Sequence, residues 1–345
     1  MTMNFDLLRE PWIVCETLRG KREVLGIRDV LARAHELAAV SDESPLVTAA
    51  TYRLLLAIVD QAYRLSSRGE WLELWNAAQL PVAALNAYFE RWGDRFDLFG
   101  EQRPFLQVAR LDQLLKAAKG KDPERVTAWR FVMEMSTYSS HVHLLEPEPQ
   151  GEGAMLSAAA AARALISFMA FAAGGRIQNE ADSWSGGAVR GGAVILVRGR
   201  TLRETLVLNT TARSRREAED VPPWQRERDI GRLLRPASGP VDLLVWPSRR
   251  VQLFAQVVGG EVRVTSALSA AGERIEGETP DPLMAYYVRD PKKPPMALRF
   301  DPERAVWRDA NALFDSATGR DAFRRPAAVE LLHALTQDRV LPKTT

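Results

Sequence analysis

The spacing of apolar residues changes along the chain, and this change limits the folds that the chain can adopt. Up to about residue 175, apolar residues mostly recur every three or four positions, which is typical of helices with one buried face. After that point, shorter apolar segments alternate with glycine, proline and charged residues, which is typical of strands. We therefore predict a helix-rich α+β fold with mixed, mostly antiparallel β elements.

The clearest predicted helix begins at Ser44 and Pro45 and runs to Leu65. Ser44 can accept a hydrogen bond from a free N–H group of the first turn, and proline fits the first helical position. The same periodicity predicts further helices at residues 27–37, 71–80, 81–92, 111–118, 154–173, 305–314 and 326–336.

Short strands are predicted near the beginning of the chain and through its second half. A hairpin turns at Gly20 and Lys21, and residues 260–276 fit a β-ribbon. Residues 136–153 have neither period and predict a long loop, and residues 202–208 fit a strand or a helix. Residues 4–14 predict a turn followed by a short strand, and the other predicted strands are residues 22–25, 193–197, 241–246, 249–258 and 281–287.

The composition is that of a globular protein. The chain has 345 residues, 46% of them hydrophobic, and a net charge of only +2, so contact with nucleic acid requires local clusters of charge. The single cysteine, Cys15, excludes an internal disulfide and a cysteine-based zinc cluster. The longest apolar run, residues 156–173, is interrupted by Arg163, which favours a buried helix. We expect a cytoplasmic protein without membrane contact.

No group of residues has the pattern of a catalytic centre. His35 and His333 lie in predicted helices, and His141 and His143 lie in a loop without a nearby cysteine, which disfavours a metal site. The chain has no Gly-x-Ser-x-Gly nucleophile turn and no Walker-type phosphate loop. We therefore expect a protein that is not an enzyme and that uses no cofactor and no metal.

Arginine is concentrated between Arg190 and Arg250, where 13 arginines and no lysine stand against seven acidic residues. Guanidinium groups bind phosphates through two parallel hydrogen bonds and stack on bases, so the cluster fits a nucleic-acid contact. The alternative is a face of the protein on which the arginines form salt bridges. Composition leaves both interpretations open.

Three glycine pairs follow the alanine-rich helix: Gly174-Gly175, Gly186-Gly187 and Gly191-Gly192. Glycine lets the backbone approach a partner closely, such as a phosphate or a narrow minor groove. The alternative is that Gly174-Gly175 ends the helix and that Gly191-Gly192 begins a strand.

Several blocks of sequence occur in an informative order. They are Leu7–Ile13, Ala49–Ile58, Arg95–Gly100 with Arg103–Gln107, Arg190–Gly192 with Val197–Gly199, Thr201–Asn209, Trp224, Trp246-Pro247, Asp281-Pro282 and Trp307–Asp309. Over residues 5–335, these blocks together resemble the large subunit of Cascade, the type I-E CRISPR effector (the CasA family).

The resemblance implies a non-catalytic subunit of a CRISPR surveillance complex that acts in antiviral defence. In that family the subunit docks on the 5′ end of the guide RNA (crRNA) and recognises the protospacer-adjacent motif (PAM) in target double-stranded DNA. The implied partners are guide RNA, target DNA, other Cascade subunits and a helicase-nuclease effector. Two alternatives stay open: an architectural guide-RNA-binding subunit that does not read the PAM, and a stand-alone nucleic-acid hydrolase.

The resemblance also implies site residues. The family's guide-contacting loop corresponds to residues 139–145, with Ser140, His141, His143 and Leu144, where relatives often carry phenylalanine instead of Leu144. Its glycine loop corresponds to Gly174 and Gly175, or to the stretch up to Gly186 and Gly187, and its basic finger on a β-ribbon to Arg263. We add the arginines of the cluster as DNA contacts: Arg190, Arg213, Arg215 and Arg216.

The resemblance finally implies a domain organisation. Residues 1–335 correspond to the large subunit's N-terminal-type domain, with a helix-rich part over 1–175 and a β-rich part over 176–335, and residues 336–345 form a tail. Relatives continue with a glutamine-bearing wedge and a C-terminal four-helix bundle, which we expect to be absent here.

Overall fold

A computed structural model describes residues 3–132, 155–177, 179–277, 279–288, 295–299 and 322–338. The helices in this part of the chain are α1 (Ile27–Ala32), α2 (Pro45–Tyr63), α3 (Arg68–Asn76), α4 (Val82–Trp92), α5 (Leu111–Lys119), α6 (Ala158–Phe171), α7 (Leu202–Leu208), α8 (Pro240–Leu244) and α9 (Ala327–Gln337). None of them is both long and apolar enough to cross a membrane.

The strands are short except for one long hairpin, β9–β10. They are β1 (Ile13–Thr17), β2 (Arg22–Leu25), β3 (Leu37–Val40), β4 (Val126–Thr127), β5 (Leu156–Ser157), β6 (Gly175–Arg176), β7 (Ser183–Trp184), β8 (Leu233–Arg235), β9 (Arg249–Val258), β10 (Glu261–Ala271), β11 (Glu273–Ile275), β12 (Tyr286–Val288), β13 (Met296–Ala297) and β14 (Ala322–Arg324).

Most strand pairs are antiparallel. In the described part of the chain, β8 and β11 form a parallel pair, and every other ladder is antiparallel. Strand β10 pairs with β9, β4 and β5, and β1 lies between β2 and β3. The predicted α+β fold with mostly antiparallel β elements is therefore confirmed.

Helix α2 lies at the centre of the fold. The Ser44 hydroxyl accepts a hydrogen bond from the N–H of Val47 (3.1 Å), as predicted. Every residue from Ala50 to Gln61 is buried, because α4, α6, α7 and α8 pack around the helix. The main hydrophobic cluster runs from Leu7 to Leu335, so both halves of the chain contribute to one core.

Several predicted elements differ from the structure. Of the predicted strand 281–287, only residues 286 and 287 lie in a strand, β12. The predicted helix 27–37 ends at Ala32, and Leu37 instead begins β3, because this segment pairs with β1 through Val40 and Cys15. Residues 240–244 form α8 rather than a strand; a short apolar run does not distinguish the two, and Pro240 fits a first helical turn. Residues 193–197 contain only the single bridge from Val194 to Met284. The predicted loop 136–153 and helix 305–314 lie outside the described residues.

Candidate nucleic-acid interface

The chain forms a short hairpin directly after α6. The Ser157 hydroxyl caps the beginning of this helix, and the helix ends at Phe171, with Ala172 in an extended conformation. The glycines that follow therefore do not cap the helix. Gly175 instead pairs with Trp184, and Arg176 pairs with Ser183, in the ladder β6–β7. We call residues 173–187 the glycine hairpin.

The returning arm of the glycine hairpin packs against the end of α6. The N–H of Gly187 donates to the carbonyl of Ala172 (2.8 Å), and an added Cβ at Gly187 would lie 2.2 Å from the carbonyl oxygen of Ala170. No side chain fits at that distance. Gly187 is also buried, so it serves internal packing rather than contact with a partner.

Gly175 has the opposite surroundings. It is exposed, its φ is +111°, and no atom lies within 4 Å of an added Cβ. The left-handed backbone favours glycine, and the open space beside its Cα leaves room for a large partner to approach. Gly175 is therefore the glycine of this hairpin that can present its backbone to a large partner.

Arg190 lies across the glycine hairpin. An added Cβ at Gly186 would lie 2.4 Å from Cδ of Arg190, and one at Gly174 would lie 2.9 Å from its Nη1. Arg190 is exposed, and no carboxylate among the described residues forms an ion pair with it. The structure thus brings together Gly174, Gly175, Gly186 and Arg190, with Gly187 behind them.

A buried arginine holds the base of the glycine hairpin. The guanidinium of Arg249 donates to the carbonyl of Ser185 (2.8 Å) on one arm and to that of Ala173 (2.5 Å) on the other. Arg249 is fully buried at the first position of β9. Sequence reasoning missed this role, because nothing in the sequence distinguishes Arg249 from the exposed arginines of the cluster, such as Arg190 and Arg215.

The tip of the glycine hairpin is also held. Asn179 donates through its amide to the carbonyl oxygens of Glu124 (2.9 Å) and Ser269 (3.2 Å). The carboxylate of Glu180 accepts from the N–H of Ala271 (3.0 Å) and pairs with Arg250 (3.0 Å). The hairpin is therefore fixed to the β9–β10 sheet at both ends, which restricts its motion before any partner binds.

A family model, CRISPR-associated protein Cse1, matches residues 6–343. The chain belongs to the Cse1 family. It is 32% identical over 328 residues to the CRISPR-associated protein CasA/Cse1 of Thermus thermophilus. That match covers 92% of this chain and 62% of the relative, so the chain spans less than two thirds of the relative's length.

Solved structures agree in fold. The crystal structure of Cse1 from Acidimicrobium ferrooxidans matches with a TM-score of 0.79 at 26% identity, over 99% of this chain and 66% of that one. A chain of a CRISPR RNA-guided surveillance complex matches with a TM-score of 0.76 at 24% identity, over 95% of this chain and 68% of that one, which supports the fold alone. Family membership agrees with the resemblance to the Cascade large subunit.

Two of the predicted DNA-contacting arginines in this Cse1-family chain are used internally. Arg213 pairs with Asp220 and with Asp60 (2.8 Å), and Arg216 also pairs with Asp60 (2.5 Å). Their side chains are only 15% and 11% exposed. The hypothesis that Arg213 and Arg216 contact phosphates is therefore replaced by a structural role, the attachment of residues 211–220 to the end of α2.

The other predicted contacts lie on separate elements. Arg215 is 90% exposed and lies 3.8 Å from Glu217, so it stays a candidate for phosphate contact. Arg263 lies on the β-ribbon, as predicted, opposite Gln256 of β9, and pairs with Glu261 (2.7 Å). The predicted guide-RNA contacts Ser140, His141, His143 and Leu144 lie outside the described residues.

Most of the arginine cluster stabilises the fold instead of forming an exposed patch. The arginines of residues 190–250 that are buried or nearly buried, with hydrogen bonds inside the protein, are Arg203, Arg213, Arg216, Arg226, Arg235, Arg249 and Arg250. The alternative of a salt-bridged face was thus closer to the structure than a continuous nucleic-acid-binding surface. The sequence could not separate the two, because pairing depends on acids distant in the chain, such as Asp60.

Two further observations concern metal binding and thiol chemistry in the described residues. They contain no group of three or more histidine, cysteine or acidic side chains placed to hold a metal ion. Burial raises the pKa of the Cys15 thiol to about 12, so this thiol is not a nucleophile near neutral pH.

Proposed function

We propose that this protein is a non-catalytic subunit of a CRISPR surveillance complex that contacts the PAM of target double-stranded DNA through its glycine hairpin. The observation that carries the proposal is the exposed, left-handed backbone at Gly175, beside the guanidinium of Arg190, which no described carboxylate neutralises. Membership of the Cse1 family supports the assignment to CRISPR function. The match to a chain of an RNA-guided surveillance complex is consistent with it.

The geometry suits the edge of a duplex. A minor groove is about 6 Å wide, so a bare backbone enters it more easily than a side chain does. The peptide groups at Gly175 can then exchange hydrogen bonds with base edges, while Arg190 binds a phosphate of the adjacent backbone. In this arrangement Gly175 confers preference for a sequence, and Arg190 confers affinity for any sequence.

Docking on the guide RNA is the second part of the proposal. It rests on the resemblance of residues 139–145 to the guide-contacting loop of the Cascade large subunit. Recruitment of a helicase-nuclease effector rests on the resemblance of the whole chain to the Cascade large subunit. A location in the cytoplasm is proposed from the single cysteine, Cys15, and from the apolar run 156–173, which Arg163 interrupts.

We expect Gly175→Ala to weaken binding to a PAM-containing duplex by roughly 1–3 kcal/mol, with little change on a scrambled duplex. An added methyl group would hold the backbone away from the groove. The measurement is equilibrium binding of both duplexes to the assembled, guide-loaded complex, together with the thermal midpoint of the isolated protein.

Gly120→Ala is the matched control. Gly120 also has a positive φ (+68°) and open space around an added Cβ, but it ends α5, away from the glycine hairpin. Both variants should lower the thermal midpoint, and Gly175→Ala the more strongly, because a φ of +111° lies outside the left-handed region of roughly +50 to +70° that other residues can adopt. Equal losses on matched and scrambled duplexes, or equal effects of the two variants on DNA binding, would contradict PAM reading by Gly175.

A further inference from the structure

An open cleft of about 900 Å³ lies at the ends of α2 and α4, beside residues 218–228. Its volume is within the range of roughly 300–1,000 Å³ in which proteins enclose ligands the size of a nucleotide or a drug. It shares no lining residue with the glycine hairpin. We call it the arginine cleft, because its walls contain two glutamates, Glu219 and Glu227, against six arginines: Arg64, Arg91, Arg95, Arg103, Arg226 and Arg228.

Three of these arginines, Arg64, Arg91 and Arg103, form no ion pair with a carboxylate among the described residues. Arg64 donates to the amide oxygen of Gln61 (3.4 Å), and Arg91 lies over the ring of Trp92, 5.0 Å from its centroid. All three arginines are exposed.

Arg103 is charged and also held in position. Its guanidinium donates to the carbonyl oxygens of Arg226 (3.1 Å) and Glu227 (2.7 Å). Carbonyl groups orient the guanidinium without neutralising it, and they leave further N–H groups for a ligand. The cleft therefore contains a fixed cationic group that loses little side-chain entropy when it binds an anion.

A buried network adds positive charge to the wall. Three arginines, Arg226, Arg228 and Arg235, share two carboxylates, Asp242 and Glu273. The network thus has one positive charge in excess. Its most exposed member is Arg228 (43%), which lines the cleft.

The lining favours a phosphate chain over a peptide. The apolar positions in the cleft are mostly small, such as Ala84, Ala87 and Ala218, so its described walls offer no deep apolar pocket for the anchoring side chain on which peptide recognition depends. The half-buried Trp92 and the guanidinium of Arg91 instead offer flat faces on which a base can stack. A concave cleft of this size admits a flexible strand, whereas a duplex is a stiff rod about 20 Å across with paired bases turned inward.

We propose that the arginine cleft binds a short stretch of single-stranded nucleic acid. Its phosphates contact Arg64, Arg91 and Arg103, and a base stacks on the pair formed by Arg91 and Trp92. This proposal does not require the glycine hairpin to contact duplex DNA, so the two proposals can fail separately.

The test uses the double variant Arg64→Gln/Arg91→Gln. It removes two exposed positive charges that form no ion pair with a carboxylate among the described residues. The control variant Arg9→Gln/Arg200→Gln also removes two exposed positive charges (77% and 91% exposed), outside the cleft. Binding of a fluorescent oligothymidylate of about 12 nucleotides is measured by anisotropy over a range of salt concentrations.

We expect the cleft variant to bind the oligothymidylate roughly five- to twentyfold more weakly than the unaltered protein. Its log–log salt slope should be shallower by about 1.4, because each lost phosphate contact on a single strand removes about 0.7. The control should bind like the unaltered protein. The thermal midpoints of the cleft variant and its control should agree.

Competition identifies the ligand. Unlabelled oligothymidylate should displace the probe at concentrations at which a nucleoside triphosphate, a blunt DNA duplex and a polyglutamate peptide of equal charge do not. Equal displacement by any one of these three would overturn the proposal, in favour of a free nucleotide, a duplex or an acidic protein segment. Equal binding by the cleft variant and the control, or no binding by the unaltered protein, would also overturn it.

Discussion

Gly175 and Arg249 contribute to the glycine hairpin in different ways. Gly175 is an exposed residue of the hairpin, whereas Arg249 is a buried residue of β9 that holds the two arms of the hairpin. The sequence predicted the glycines without ranking them. Only the contact between Gly187 and Ala170 distinguishes an internal glycine from an accessible one, and that contact requires the folded end of α6.

Arg249→Lys should loosen the glycine hairpin. A lysine has one nitrogen at the end of a flexible stem and cannot bridge the carbonyl oxygens of Ala173 and Ser185 in the fixed geometry of a guanidinium. We expect a loss of about 2–3 kcal/mol in unfolding free energy, since a buried carbonyl would be left without a donor. The exchange rate of the Gly187 amide, measured by hydrogen exchange, should rise as well.

The exposed Arg200 supplies the control for this substitution, because Arg200→Lys keeps the charge at a position that is 91% exposed. It should leave both measurements unchanged. An Arg249→Lys variant with unaltered exchange at Gly187 would show that Arg249 does not hold the hairpin.

At the scale of elements, the sequence correctly predicted features that depend on interactions between residues close together in the chain. The cap predicted at Ser44 lies at the beginning of α2, and the predicted strand 249–258 is β9, which pairs with β10. The errors occurred in elements whose structure depends on contacts with residues far away in the sequence. Strand β3 forms because β1 offers an unpaired edge, and α8 forms where the carboxylate of Asp220 accepts a hydrogen bond from the N–H of Asp242.

Replacing residues 139–145 with a seven-residue glycine–serine linker should weaken docking on a guide-RNA-loaded complex. The linker keeps the chain length but removes the side chains that the family resemblance assigns to guide contact. The measurement is the affinity of the variant for the complex that lacks only this subunit. Unchanged affinity would mean that guide docking uses another part of the chain.

At the scale of the whole molecule, one buried ion pair joins parts of the chain that are far apart in sequence. Arg53 in α2 pairs with Asp281 (2.6 Å), and it also donates to the carbonyl oxygens of Leu243 (2.6 Å) and Leu244 (3.1 Å). Both charged side chains are almost fully buried. The family blocks include both residues, but no local pattern indicates that they meet, since 228 positions separate them.

Arg53→Met should lower the unfolding free energy by about 3–5 kcal/mol, because it leaves the carboxylate of Asp281 buried without its partner. The double variant Arg53→Met/Asp281→Leu should recover part of this loss, since it removes both buried charges. Denaturant unfolding of the single and double variants measures the difference. If the double variant lost more unfolding free energy than the two single variants together, the loss could not be assigned to an unpaired buried charge.

The attachment of the glycine hairpin at its base and tip has a kinetic consequence. A DNA partner would meet a surface that is already folded, so no slow ordering step would precede binding, and association would depend on diffusion and on the attraction of charges. Added salt should then act mainly on the association rate. A side chain at Gly175 should instead shorten the lifetime of the bound state, because it disturbs a fit that is completed only after the two surfaces have met.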